Sequence, residues 1–103
     1  MNNRILEQST VVVSSQQVSG DLLDGEVAIL NLPDGVYYSL DEVGGRIWNL
    51  IQQPKTVREL TEILLQEYDI DPEICSHELM DLLQDLAEHG LIIINNDTDS
   101  EVL

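Results

Sequence analysis

A chain of 103 residues, 43% of them hydrophobic, can bury one small core and is too short for two domains. Twenty Asp and Glu against four Lys and Arg give a net charge of −16, which repels the phosphate backbones that nucleic-acid-binding proteins hold through Lys and Arg. The single cysteine, Cys75, excludes an intramolecular disulfide, and no apolar run nears the ~18 residues of a membrane span. The first ten residues lack the apolar centre of a signal peptide, so a soluble cytoplasmic protein is expected.

Residues 1–10 are polar and are expected to fray. Val11, Val12 and Val13 are β-branched and bounded by Thr10, Ser14 and Ser15, which predicts a first strand over residues 10–15. From Gln16 to Gly25 the composition is that of a polar loop; the Leu22-Leu23 pair within it is too short for a strand and is expected to tuck against the core. Residues 26–32 are apolar at nearly every position and predict a second strand, covered on both faces or central in its sheet. Pro33-Asp34-Gly35 is turn chemistry: Pro presets φ, Asp caps the turn, and Gly takes positive φ. Residues 36–39 should return antiparallel as a third strand.

Ser39 and Glu42 have capping-box spacing, with Tyr38 and Val43 at the flanking staple positions, so the first helix is expected over residues 40–52. Leu40, Val43, Ile47 and Leu50 or Ile51 would share its inner face. Gly44 and Gly45 inside a helix cost roughly 1 kcal/mol each relative to Ala, which points to a close approach by another backbone. Pro54 ends this segment. Thr56 and Glu59 repeat the box and open a second helix over 56–68. Asp71-Pro72 opens a third, over 72–89, which Gly90 closes. Residues 91–94 are apolar and suit a short last strand. The acidic remainder, 96–103, is expected to be a mobile tail, leaving 1–95 as one domain. Three strands followed by three helices predict an α+β, winged-helix-like domain with a three-stranded antiparallel sheet and a three-helix bundle.

On the third helix Cys75, Leu79, Leu82, Leu83 and Leu86 fall within one stripe about 100° wide, facing the core or a groove. Glu78, Asp81, Asp85 and Glu88 form an acidic stripe centred about 130° away, which is either a solvated face or a rail for Lys or Arg on a partner. Chemistry is not apparent. His77 and His89 lie about 120° apart on the helix and cannot share a metal. Cys75, on the apolar stripe, reads as a small core residue rather than a nucleophile. Trp48 reads as core. No nucleophile elbow, zinc-protease helix, phosphate loop or C-x-x-C is present, and no residue set calls for a metal or another cofactor. No catalytic residue is assigned.

Binding fits better. An exposed strand beside a helix invites an extended peptide to add itself through main-chain hydrogen bonds. The edge is Val36, Tyr37, Tyr38, Ser39 and Leu40; of the two tyrosines one should face inward and the other outward, and the pattern leaves open which. Roughly four such bonds give about 2–6 kcal/mol net, against about 5–10 kcal/mol to order a five-residue peptide. Two or three apolar anchors, at roughly 1.5–3 kcal/mol each, must therefore enter pockets that Leu79, Leu82 and Leu86 could line.

The ordered set Gly35, Tyr38, Leu40, Asp41, Gly44, Ile47, Trp48, then Thr56 to Leu60, Tyr68-Asp69, and Leu86, Gly90, Leu91, Ile92 resembles the PqqD-like family over about residues 9–94. The resemblance implies a non-catalytic recognition element for ribosomally made, modified peptides. It implies that the leader segment of a precursor pairs with the third strand and lies against the third helix. On that expectation the contact residues are Val36, Tyr37, Tyr38, Ser39, Leu40, Cys75, Glu78, Leu79, Leu82, Asp85 and Leu86. The Tyr37, Tyr38, Leu40, Asp41 pattern is most similar to the stand-alone leader-binding proteins of lasso-peptide pathways, whose partner is a separate cysteine-protease-like leader peptidase. The alternatives are a leader-binding carrier for a radical enzyme, and a winged-helix transcription regulator. Against the second, the third helix carries Asp and Glu and no Lys or Arg. A monomer is expected, with a strand-exchanged dimer as the alternative that an open edge invites.

Overall fold

Over the described residues 4–96, the computed structural model folds into two three-stranded antiparallel sheets and three helices. The first sheet is built from β2 (Gln17–Asp21), β3 (Val27–Asn31) and β4 (Val36–Leu40), in that order. The second holds β1 (Thr10–Val13) between β5 (Lys55–Thr56) and β6 (Ile92–Asn95). The helices are α1 (Glu42–Leu50), α2 (Val57–Glu67) and α3 (Pro72–Glu88). The protein is α+β, and the arrangement is compatible with a winged-helix-like description.

The membership of the sheets corrects the expectation of one sheet made from 10–15, 26–32 and 36–39. β1 pairs instead with β6, from Thr10↔Asn95 to Val13↔Ile92. The place beside β3 goes to β2, inside the stretch expected to be loop. Its sequence, QVSGD, is poor in strand formers. What holds it is tertiary: full register with β3 from Gln17↔Asn31 to Asp21↔Val27, and a bond from Trp48 Nε1 to Ser19 Oγ at 3.0 Å. Leu22 and Leu23 do not tuck inward. They sit exposed at the β2–β3 turn, where Asp24 and Gly25 take φ of 64° and 80°.

The β3–β4 hairpin forms as its turn chemistry predicts. The Gly35 amide donates to the Asn31 carbonyl at 2.8 Å, and the Val36 amide to Asp34 Oδ1 at 3.0 Å. The ladder runs from Asn31↔Val36 to Val27↔Leu40. Because β4 continues through Leu40, Ser39 is a strand residue opposite Ala28, not a helix cap. The cap of α1 is Asp41, whose Oδ1 accepts the Gly44 amide at 2.8 Å. Two further ladder positions outweigh an early helix start, and Asp caps as well as Ser. The Tyr38–Val43 staple is lost with it, and Val43 is exposed.

The inner face of α1 is Gly44, Gly45, Ile47 and Trp48. The expected close approach of another backbone is found at Gly45, where a methyl group would collide with the Gly25 carbonyl oxygen and lie 3.0 Å from Val27 Cγ2; at Gly44 it would meet only the side chains of Leu40 and Asp41.

α2 opens with the predicted Thr56–Glu59 capping box. The amides of its first two residues, Val57 and Arg58, which have no partner within the helix, donate to the carbonyls of Ser9 and Glu7 at 3.0 and 2.9 Å. Residues 4–9 are therefore held rather than frayed: Ser9 is buried, and its hydroxyl donates to Asn96 Oδ1. α3 starts at the Asp71 cap with Pro72 behind it and ends at Gly90, whose φ is 76°. The core is contiguous, joining Val11 and Ile92 of one sheet, Val27 and Ile29 of the other, Trp48 of α1, Leu60 of α2 and Leu83 of α3. Among the described residues no helix is long and apolar enough to cross a membrane. Most of the expected mobile tail, residues 97–103, lies outside the described residues.

Candidate peptide-binding groove

β4 is the last strand of its sheet. It bonds to β3 on one side and, among the described residues, to no strand on the other. One row of its backbone N–H and C=O groups is left free to pair. Side chains alternate along it: Tyr37 is 71% exposed, while Tyr38 and Leu40 turn inward and pack on the core. That settles the direction of the two tyrosines.

A cleft of about 550 Å³ opens between the end of β4, the first turns of α1, the end of α2 and the length of α3. Its volume is within the range of small-ligand and peptide pockets. Ile47, Leu64, Cys75 and Leu79 supply buried apolar surface, Leu40 and Leu82 are half-buried, and Val43 and Ile70 are exposed. Ser39, Asp41, Tyr68, Glu78 and Asp85 complete the lining.

Of the residues expected from sequence, Ser39, Leu40, Cys75, Glu78, Leu79, Leu82 and Asp85 come together in this cleft. Val36, Tyr37 and Tyr38 lie along the β4 edge outside its lining. Leu86 is 2% exposed and belongs to the core. Sequence reasoning missed the α1–α2 side, including Val43, Leu64, Tyr68 and Ile70. Ile70, apolar between two aspartates in a linker, was a signal that could have been used.

Every charge on the lining is negative: Asp41, Glu78 and Asp85. Loss of solvent raises the pKa of the Tyr38 phenol, and Asp34 and Asp85 raise it further. Burial pushes the Cys75 thiol up, aided by Glu78, so it stays protonated and unreactive at neutral pH. Arg46 is held away from the lining by Glu67 of α2 through two bonds, Nε to Oε1 at 2.8 Å and Nη2 to Oε2 at 2.6 Å. The Arg46 hydrogen bond keeps the Glu67 carboxyl below its ordinary range.

His89 closes the hairpin end of α3. Its ring lies on Tyr38, and its Nδ1 is 2.8 Å from the Asp85 carbonyl. His77 lies near Asp81 instead, at 3.5 Å. Among the described residues no group of His, Cys, Asp and Glu is placed to hold a metal. The arrangement offers a strand edge and an apolar trough, which can hold an extended chain.

The family model described as coenzyme PQQ synthesis protein D (PqqD) matches residues 26–92, from β3 into β6. The chain belongs to the PqqD family. The whole lining of the cleft falls inside the PqqD match, whereas β1 and β2 precede it.

Two solved structures are similar. The structure described as TbiB1 in complex with the TbiA(beta) leader peptide is 36% identical, covers 79% of this chain and 93% of its own, and superposes with a TM-score of 0.74. A lasso peptide synthetase B1 complexed with the leader peptide is 16% identical over 81% of this chain and 96% of its own, with a TM-score of 0.71; it shares the PqqD-like fold. No curated protein matches the chain.

Proposed function

We propose that this chain binds the leader segment of a ribosomally made precursor peptide and presents it to a separate leader peptidase in lasso-peptide biosynthesis. The leader adds as a strand to β4 and drops apolar side chains into the cleft against α3. One observation carries the reading: the free β4 edge borders an apolar cleft, in a chain 36% identical to a protein solved with a leader peptide. Backbone pairing alone does not offset the cost of ordering the peptide, at about 1–2 kcal/mol per residue, so the cleft supplies the anchoring. The chain acts without catalysis of its own, as a single cytoplasmic domain and a monomer whose edge a second copy could also occupy. A second reading keeps the groove and changes the partner to a radical enzyme acting on a quinone-cofactor precursor; the family's description, a coenzyme PQQ synthesis protein, supports the quinone part of it.

The test is a titration with labelled lasso-peptide leaders, the TbiA(beta) leader among them, with random-sequence duplex DNA as the control. Micromolar or tighter binding is expected for at least one leader, weakened by Pro at its central paired position. Leu82→Asp should abolish it while the fold persists, since Leu82 is only half-buried. Binding of none of the leaders, or binding indifferent to Pro and to Leu82→Asp, would sink the proposal. A quinone-precursor peptide binding in place of the lasso leaders would favour the second reading.

A further inference from the structure

Apolar anchors and main-chain bonds accept many extended peptides; charge on the groove narrows the choice. On α3, Glu78, Leu82 and Asp85 are spaced i, i+4, i+7 and all line the cleft, so they form one ridge with an apolar residue between two carboxylates. We infer that the peptide seated in this groove is cationic there, with Lys or Arg on either side of an apolar anchor, reaching Glu78 and Asp85 across Leu82. This rests on the reading of the groove as a peptide site.

Three observations support it. The lining carries no Lys or Arg, and Arg46 is held by Glu67, so nothing within the groove neutralises the ridge. Asp41 is committed to the Gly44 amide and Asp85 sits 3.6 Å from His89, while Glu78 has no ion-pair partner among the described residues. The negative field also reaches β4, where Asp34 and Asp85 both act on the Tyr38 phenol.

Spacing makes the inference specific. Seven helical residues rise about 10 Å, which about three residues of an extended chain span. Side chains of an extended chain alternate faces, so a Lys or Arg pair four positions apart, about 13 Å, shares one face with an apolar anchor midway, and its flexible stems converge over Leu82 onto both carboxylates. The overall charge of −16 attracts any cation from a distance, but it is screened beyond about 8 Å at physiological salt. Within that range the two carboxylates of the ridge, one of them without an ion-pair partner among the described residues, fix where the cations fall along α3.

A random twelve-residue display library, selected on the full chain, tests this. Two double variants are selected in parallel: Glu78→Gln with Asp85→Asn, and Glu26→Gln with Glu62→Gln. Both remove the same charge, the second at exposed positions away from the cleft lining. The native chain and the remote variant should enrich Lys or Arg four positions apart around a central apolar residue, and the ridge variant should not. An enriched peptide should bind the ridge variant weaker by roughly 1.5- to 5-fold per lost pair, and its Lys→Gln form should lose no more there.

Enrichment of neutral or acidic peptides that Leu82→Asp still excludes would overturn the inference and leave the groove reading intact. Equal loss of cations on the remote variant would also overturn it, since total charge would then be the cause. If no peptide is enriched, or if those enriched bind Leu82→Asp unchanged, the groove reading fails and the inference with it.

Discussion

Tyr38 of β4 and His89 at the end of α3 hold their rings 4.9 Å apart, tilted by 54°. This pair ties the strand that offers its edge to the helix that offers its face. His89→Ala should let the two separate and weaken leader binding by roughly two- to ten-fold, the range expected for an aromatic pair. His89→Phe should restore most of it, which a fluorescence titration of the two variants would read.

The boundary between β4 and α1 predicts a contrast between neighbours. Asp41→Ala removes the bond to the Gly44 amide and should cost about 1 kcal/mol, or roughly 4–8 °C in melting temperature. Ser39→Ala should change stability by less than about 0.5 kcal/mol, because Ser39 caps nothing. Thermal melts of the two variants decide between Asp41 and Ser39 as the cap.

Glycine substitutions should split in the same way. Gly45→Ala places a methyl against the Gly25 carbonyl and Val27 Cγ2, and overpacking of this kind costs about 1–3 kcal/mol. Gly20→Ala meets nothing within 4 Å and should be near neutral. Urea midpoints measure both.

The Arg46–Glu67 pair predicts a pH dependence of definite sign. Arg46 lowers the folded-state pKa of Glu67, so the pair stabilises the fold above the unfolded glutamate value of about 4.3. That contribution is lost as pH falls through the lowered folded value. Arg46→Gln should be less stable than the native chain at pH 7, and the difference should shrink below about pH 4 in urea melts.

How much of this was legible depended on where each signal resided. Local chemistry carried the hairpin turn, the Thr56 cap, the Pro72 start and the Gly90 stop, because each is decided by a few adjacent residues. β2 was not legible, because its sequence is loop-like and only pairing with β3 makes it a strand. Ser39 misled for the opposite reason: a good local motif lost to two more rungs of the ladder. In the groove, α3 could be read from its own periodicity. Leu64, Tyr68 and Ile70 could not, since their membership depends on how α2 meets α3.

The second sheet has a bearing on how such a module can be wired to others. Thr10 pairs with Asn95, and Asn96 donates its side-chain amide to the Arg4 carbonyl at 2.8 Å, so both ends of the described chain exit at one spot. Neither β1 nor β6 belongs to the sheet that holds β4. A tether fastened there would pull on the β1–β6 ladder and leave the recognition edge mechanically unloaded, whichever end carried it.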